Sequence, residues 1–218
     1  MLSKILSAAL IGIDAHVVEV EVDITSRGLP HFSTVGLPDA AVKESKDRVR
    51  AALKNTGFNF PLKQITVNLA PADIKKEGSS FDLPIAMGII VAEGIIEPRS
   101  VEGYMISGEL SLDGRIKSIK GALSMAITAR EQKFKGLILP KENAKEAAVV
   151  NGIQVYGVES LPQVIEFFRE NNTINSTSID TDSAMKENSV YQDDFSDVKG
   201  QEHVKRLLKL LQQAATMC

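Results

Sequence analysis

The sequence predicts an α+β (α/β) domain, a mixed sheet with helices packed on it, and three observations carry that expectation. The opening is all strand, with apolar residues at a period of two. Beyond it, strands alternate with segments whose apolar residues recur at helical spacing. Proline and glycine punctuate the boundaries between them.

In chain order, the first stretch, MLSKILSAALIGID, reads as a strand. A signal peptide is the lesser reading, because the apolar run is short and broken by Ser7 and Gly12. From His16 to Ile24, Val18, Val20, Val22 and Ile24 point one way and Glu19, Glu21 and Asp23 the other, a half-buried strand with a solvated acidic face. The Arg27-Gly28-Leu29-Pro30 turn leads to a strand over residues 31–35. Pro38 and Asp39 then open a helix running to Thr56, since Pro suits a first turn and Asp its positive end. Val42, Ser45, Val49, Ala52 and Leu53 share its inner face. A strand over 65–69, a loop, and an apolar helix over 83–92 follow. Residues 104–117 read as two strands around the hairpin signal Asp113-Gly114. Helix over 121–132, strand over 136–139, helix over 141–151, strand over 153–158 and helix over 161–170 complete one helical layer on a sheet.

After Glu170 the chain is rich in Asn, Ser, Thr and Asp, too polar to offset its ordering entropy, so 171–194 is expected to be a flexible linker. In the last segment, 195–218, Val204, Leu207, Leu208, Leu211, Ala214 and Ala215 form an apolar helical stripe.

The formal net charge of −3 over 218 residues excludes an overall basic field, so a nucleic-acid contact needs a local patch. Such a patch is offered by Lys43, Lys46, Arg50 and Lys54 on the outer face of the first helix. A solvated face with Asp47 in partial balance is the simpler reading, and no aromatic sits among them to suggest base stacking. The one cysteine, Cys218, excludes an internal disulfide, and no run approaches the roughly 20 apolar residues of a membrane span. A cytoplasmic protein without a membrane partner is expected.

Lys75-Lys76-Glu77-Gly78-Ser79-Ser80-Phe81-Asp82 places hydroxyls and backbone amides before a helix. That is an anion or oxyanion site, or simply an N-cap made by Ser or Asp. With the later G-E-L-S-L-D-G-R-I-K-S-I-K-G and L-I-L-P-K-E-N it resembles the Lon protease catalytic domain, whose fold is shared with the second domain of ribosomal protein five of the small subunit. The resemblance puts Ser80 where the nucleophile sits and Met125 where the catalytic lysine belongs. A serine needs a neighbouring base, and methionine has no titratable group. Lys120, five residues earlier, is turned about 140° from the required helical face, and at the helix entrance it is expected to be solvated. A catalytic site is therefore not expected.

The combination V-G-L-P-D-A-A-V-K-E-S, V-N-L-A-P-A-D and K-E-G-S-S-F-D-L-P-I-A resembles, more specifically, the N-terminal domain of the ComM/YifB family of Mg-chelatase-like AAA+ ATPases, over residues 1–170. The likeness resumes at F-S-D-V-K-G-Q, where Val198, Gly200 and Gln201 look like the opening of an AAA+ module. No G-x-x-x-x-G-K-[S/T] phosphate loop follows before Cys218, so a domain truncated ahead of its motor is expected. The resemblance implies a hexameric ATPase and DNA helicase using ATP and Mg²⁺ and acting on branched or single-stranded DNA in branch migration during natural transformation. The present domain would be its non-catalytic accessory and the missing module its partner. The alternatives are a subunit of a Mg-chelatase-type motor complex and a Lon-like serine peptidase, the latter disfavoured by Met125. His16, His31 and His203 are isolated and suggest no metal site.

Overall fold

Alternation builds the sheet as expected. The computed structural model describes residues 1–26, 29–169, 174–179 and 199–215. Strand β1 (Leu2–Ile11) pairs antiparallel with β2 (Asp14–Thr25), and Val18, Val20, Val22 and Ile24 are all buried. Strand β3 (His31–Val35) runs parallel to β4 (Gln64–Ala70), which is antiparallel to β2. On the other side β1 runs parallel to β5 (Tyr104–Ile106), followed by β8 (Gly136–Pro140) and β9 (Gln154–Val158). The sheet order is β3-β4-β2-β1-β5-β8-β9, and β6 (Glu109–Leu110) and β7 (Ile116–Lys117) form a separate hairpin.

Helices cover both faces where one layer was expected, because β5, β8 and β9 are apolar on both sides. Ile106, Ile138 and Val158 join one core, Met105, Leu137, Leu139 and Val155 the other. Helices α1 (Ala40–Asn55), α2 (Asp82–Ala92) and α6 (Leu161–Arg169) supply the first core. Helices α4 (Ala122–Glu131) and α5 (Lys141–Ala148) supply the second. The short α3 (Pro98–Val101) lies between α2 and β5. Every residue of α2 is buried; shortening Leu83, Ile85 or Ile89 to Ala would cost about 2–5 kcal/mol each. Tyr104 packs edge-on against Phe167 and Phe168, at 5.8 and 5.4 Å between ring centroids, and so ties α6 to β5.

Four expectations are corrected. Helix α1 begins at Ala40; Asp39 is its cap, and Pro38 stands outside it, bridged to Lys76. Residues 104–106 belong to the large sheet through the Leu6–Met105 pairing, so the Asp113-Gly114 turn joins only β6 and β7. The acidic face of β2 is partly paired: the Lys4 amine reaches Glu19 at 2.7 Å and Glu21 at 3.2 Å. The amide of Asn68, and then Lys4, hold the Glu21 carboxyl below the usual range. Finally, the first compact unit extends to Ile179 instead of ending at 170. Ile174 and Ile179 pack on the cores, and the Thr177 amide donates to the Val155 carbonyl at 2.7 Å along edge strand β9.

Arg27 and Gly28 of the expected turn, residue 170 of the expected last helix, residues 171–173 and 180–194 of the expected linker, and residues 195–197 with Val198 of the segment after it lie outside the described residues. In the second unit, Gly200 and Gln201 lead into α7 (Glu202–Ala215); the Gln201 carbonyl accepts from the Val204 and Lys205 amides, and Val204, Leu207 and Leu208 are exposed. No described helix is long and apolar enough to cross a membrane.

Candidate functional site: a serine cleft and a basic helix

The loop between β3 and α1 and the loop between β4 and α2 are built as one unit. Gly36 adopts φ +96°, and a Cβ there would stand 2.1 Å from the Leu69 carbonyl oxygen, so only glycine lets the first loop cross β4. The Leu37 carbonyl then accepts from the Lys76 amide at 3.2 Å, and the Asp39 amide donates back to the Lys76 carbonyl at 3.0 Å. Asp39 uses both carboxylate oxygens: Oδ1 accepts from the Val42 amide at 2.7 Å, capping α1, and Oδ2 from the Gly78 amide at 3.1 Å. The serine loop is thereby fixed to the start of α1.

Lys76 is fully buried and its amine donates to the Pro71 carbonyl. Burial holds that amine below its usual pKa, against a smaller upward pull from Asp73. Lys75 is exposed and ion-paired to Glu77 at 2.6 Å. The simple expectation of N-capping by Ser or Asp is not met. The cap position of α2 is Phe81, no side chain among the described residues caps the helix, and Asp82 turns inward to Arg48. The Ser79 hydroxyl donates to the Glu109 carboxylate.

Ser80 and Met125 meet in one cleft of about 480 Å³. Met125 is 1% exposed in the first turn of α4. Gly121, at φ +77°, starts that helix where a Cβ would stand 2.5 Å from Leu10, and Leu10 itself lines the cleft. The structure thus brings together the pair that the Lon resemblance singled out. It also corrects the geometric expectation for Lys120. That residue precedes the Gly121 cap, so helical rotation does not apply to it, and it lines the same cleft. Lys120 is nevertheless exposed, and a serine-activating amine must be desolvated. Asp39, Glu77 and Glu109 also line the cleft. Three carboxylates against one lysine oppose an anion there, which corrects the anion-site expectation.

The basic residues lie as the helical spacing predicts. Lys43, Arg50 and Lys54 are exposed and Lys46 is half-buried on α1, opposite the buried face of Val42, Ser45, Val49, Ala52 and Leu53. None of the four makes an ion pair among the described residues. One expectation fails here: an aromatic does reach the stripe. The Arg50 guanidinium sits 5.8 Å from the centroid of the Phe60 ring, which comes from the loop after α1 and also packs against Phe32.

Sequence reasoning missed Arg48. Its Nε donates to Asp82 Oδ2 at 2.7 Å and its Nη2 to Oδ1 at 3.1 Å, while the Leu110 amide donates to Oδ2 at 3.2 Å. Burial raises the Asp82 pKa by more than these partners lower it, and the carboxylate raises that of Arg48. A carboxylate set directly against the apolar run of α2 was the available signal. No group of His, Cys, Asp and Glu among the described residues could hold a metal ion, and the sequence contains no phosphate loop.

The family described as Subunit ChlI of Mg-chelatase matches residues 20–143. The chain is 39% identical over 210 residues to Competence protein ComM of Haemophilus influenzae, across 96% of this chain and 41% of that protein. It is 38% identical over 209 residues to the uncharacterized protein YifB of Escherichia coli, across 96% of this chain and 40% of that one. Lon protease 1 of Syntrophobacter fumaroxidans is 30% identical over 125 residues, across 54% of this chain and 15% of the protease. The chain thus spans about two fifths of the length of the ComM and YifB relatives. With the Lon-like fold and these matches, the chain belongs to the ComM/YifB family of Mg-chelatase-like AAA+ proteins.

Proposed function

We propose that this chain is a non-catalytic accessory domain of a ComM-like hexameric AAA+ ATPase and DNA helicase, acting in the cytoplasm in branch migration during natural transformation. The observation that carries the non-catalytic part is Met125, buried in the cleft beside Ser80 where a hydrolase would keep a desolvated amine. The likeness to Competence protein ComM supports the motor and its pathway. In this reading ATP and Mg²⁺ are held by the motor module, DNA is the substrate, and α1 supplies a sequence-independent phosphate contact through Lys43, Lys46, Arg50 and Lys54.

The test is ATP-driven migration of a four-way DNA junction by the protein carrying this domain with its motor. Ser80→Ala is expected to leave the rate unchanged, and the present chain to resist labelling by a serine-directed fluorophosphonate. Labelling at Ser80, or no junction migration by the whole protein, would overturn the proposal. The family match also favours a second reading, a subunit of a Mg-chelatase-type motor complex. A porphyrin titration with a spectral shift would favour that reading over the first.

A further inference from the structure

A second cavity, of about 680 Å³, opens beyond the carboxyl ends of β8 and β9. Arg115, Lys117, Lys141, Ser111, Ser118 and Glu159 are among its lining residues. Its walls are fixed by backbone bonds between the β6–β7 hairpin and the β9–α6 junction. The Ile116 amide donates to the Glu159 carbonyl, and the Leu161 amide to the Gly114 carbonyl, each at 2.9 Å. Two of its cations are engaged, Arg115 by Asp113 at 2.8 Å and Lys141 by Glu159 at 2.6 Å. Lys117 is exposed and makes no ion pair among the described residues. The Ser111 hydroxyl is buried without a hydrogen-bond partner there. The hairpin tip reaches α1, where the Asn55 side-chain amide donates to the Leu112 carbonyl at 2.8 Å. Lys54, the last cation of the α1 stripe, is the immediate neighbour of that contact.

We infer that this cavity is a phosphate-binding pocket, with Lys117 and Arg115 as the charges that meet the phosphoryl oxygens and the Ser111 and Ser118 hydroxyls as supporting donors. Asp113 holds Arg115 and Glu159 holds Lys141, so the charge that the pocket offers is Lys117, which makes no ion pair among the described residues, whereas the serine cleft sets three carboxylates around one lysine. The phosphate can belong to a free phosphate compound or to a nucleic-acid strand that continues from α1 across the hairpin tip. Only the strand source rests on the DNA reading given above.

The 218-residue chain is titrated with inorganic phosphate, followed by the amide resonances of Lys117 and Ser118, and with a single-stranded oligonucleotide across salt concentrations. For a strand, Arg115→Ala with Lys117→Ala is expected to weaken binding and to reduce the logarithmic salt slope by about 1.4, at about 0.7 per neutralised phosphate. Glu159→Gln, which frees Lys141, is expected to tighten binding, a gain that misfolding cannot mimic. Phosphate-induced shifts lost in the double variant, with strand binding unchanged, assign the pocket to a free phosphate compound. If the double variant alters neither, the inference is overturned. A chain with Lys43, Lys46, Arg50 and Lys54 of α1 all replaced by Ala, run in parallel, keeps the two readings apart: its failure to weaken strand binding removes the stripe and leaves the pocket standing.

Discussion

The guanidinium of Arg48 closes on the buried carboxylate of Asp82 through two hydrogen bonds, at 2.7 and 3.1 Å, and so pins the middle of α1 to the first turn of α2. Arg48→Met leaves Asp82 buried without its counter-charge and is expected to cost about 3–5 kcal/mol in urea unfolding. Replacing both, Arg48→Met with Asp82→Leu, is expected to cost less than the single change. The sign of the pH dependence follows from the raised pKa of Asp82. Between the usual carboxylate value and the raised one, the folded chain holds more proton than the unfolded chain. The Asp82 contribution is thus full below the unfolded pKa and is lost as pH rises through the folded one. Asp82→Asn should flatten that part of the stability profile.

Gly36→Ala tests the close crossing of β4. The added Cβ would stand 2.1 Å from the Leu69 carbonyl oxygen at a φ of +96°, and backbone cannot yield as a side-chain tip would. The expected loss is about 2 kcal/mol or more, a fall in melting temperature of about 4 °C or more by calorimetry. A neutral Gly36→Ala would show that the Lys76 clamp on this loop does not depend on the crossing.

Local periodicity made most elements legible. The alternation from Val18 to Ile24 and the inner face Val42, Ser45, Val49, Ala52 and Leu53 were readable because each is decided within a few residues of chain. What was not legible depends on pairing at long range. Tyr104, Met105 and Ile106 are too few to show a period, and their place beside β1 is set by Leu6. Phe60 reaches Arg50 only because the chain turns back after α1, and Arg48 finds Asp82 across two helices. The cleft was half legible: family likeness paired Ser80 with Met125, whereas the presence of Lys120 and of Asp39, Glu77 and Glu109 at its wall required the folded loops.

The α1 stripe carries a separable prediction. Replacing Lys43, Lys46, Arg50 and Lys54 together by Ala is expected to weaken binding of duplex DNA. The logarithmic salt slope should fall by about 0.9 for each phosphate that the helix no longer neutralises. Three of these side chains are exposed and none is ion-paired among the described residues, so folding stability should change little. Arg50 alone packs on an aromatic ring, and its removal is expected to account for about 0.5–1 kcal/mol of any loss. An unchanged salt slope, measured by fluorescence anisotropy, would take α1 out of the DNA interface.

Met125→Lys restores an amine to the cleft and separates a lost catalyst from one that never depended on this position. The site is 1% exposed and shares its core with Ala122, Ala126 and Leu139, so an ammonium there is expected to cost about 3 kcal/mol or more at neutral pH. Burial would lower the new amine's folded pKa. The folded chain then binds fewer protons than the unfolded one, and the deficit shrinks as pH rises towards the usual lysine value. In the same alkaline range the neutral amine can take the Ser80 proton, so fluorophosphonate labelling is expected to appear in Met125→Lys and to vanish when Ser80→Ala is added. Labelling that requires Ser80 but is already present in the unaltered chain would mean that Lys120, or another group at the wall, serves as the base. The cleft would then be a working hydrolytic site.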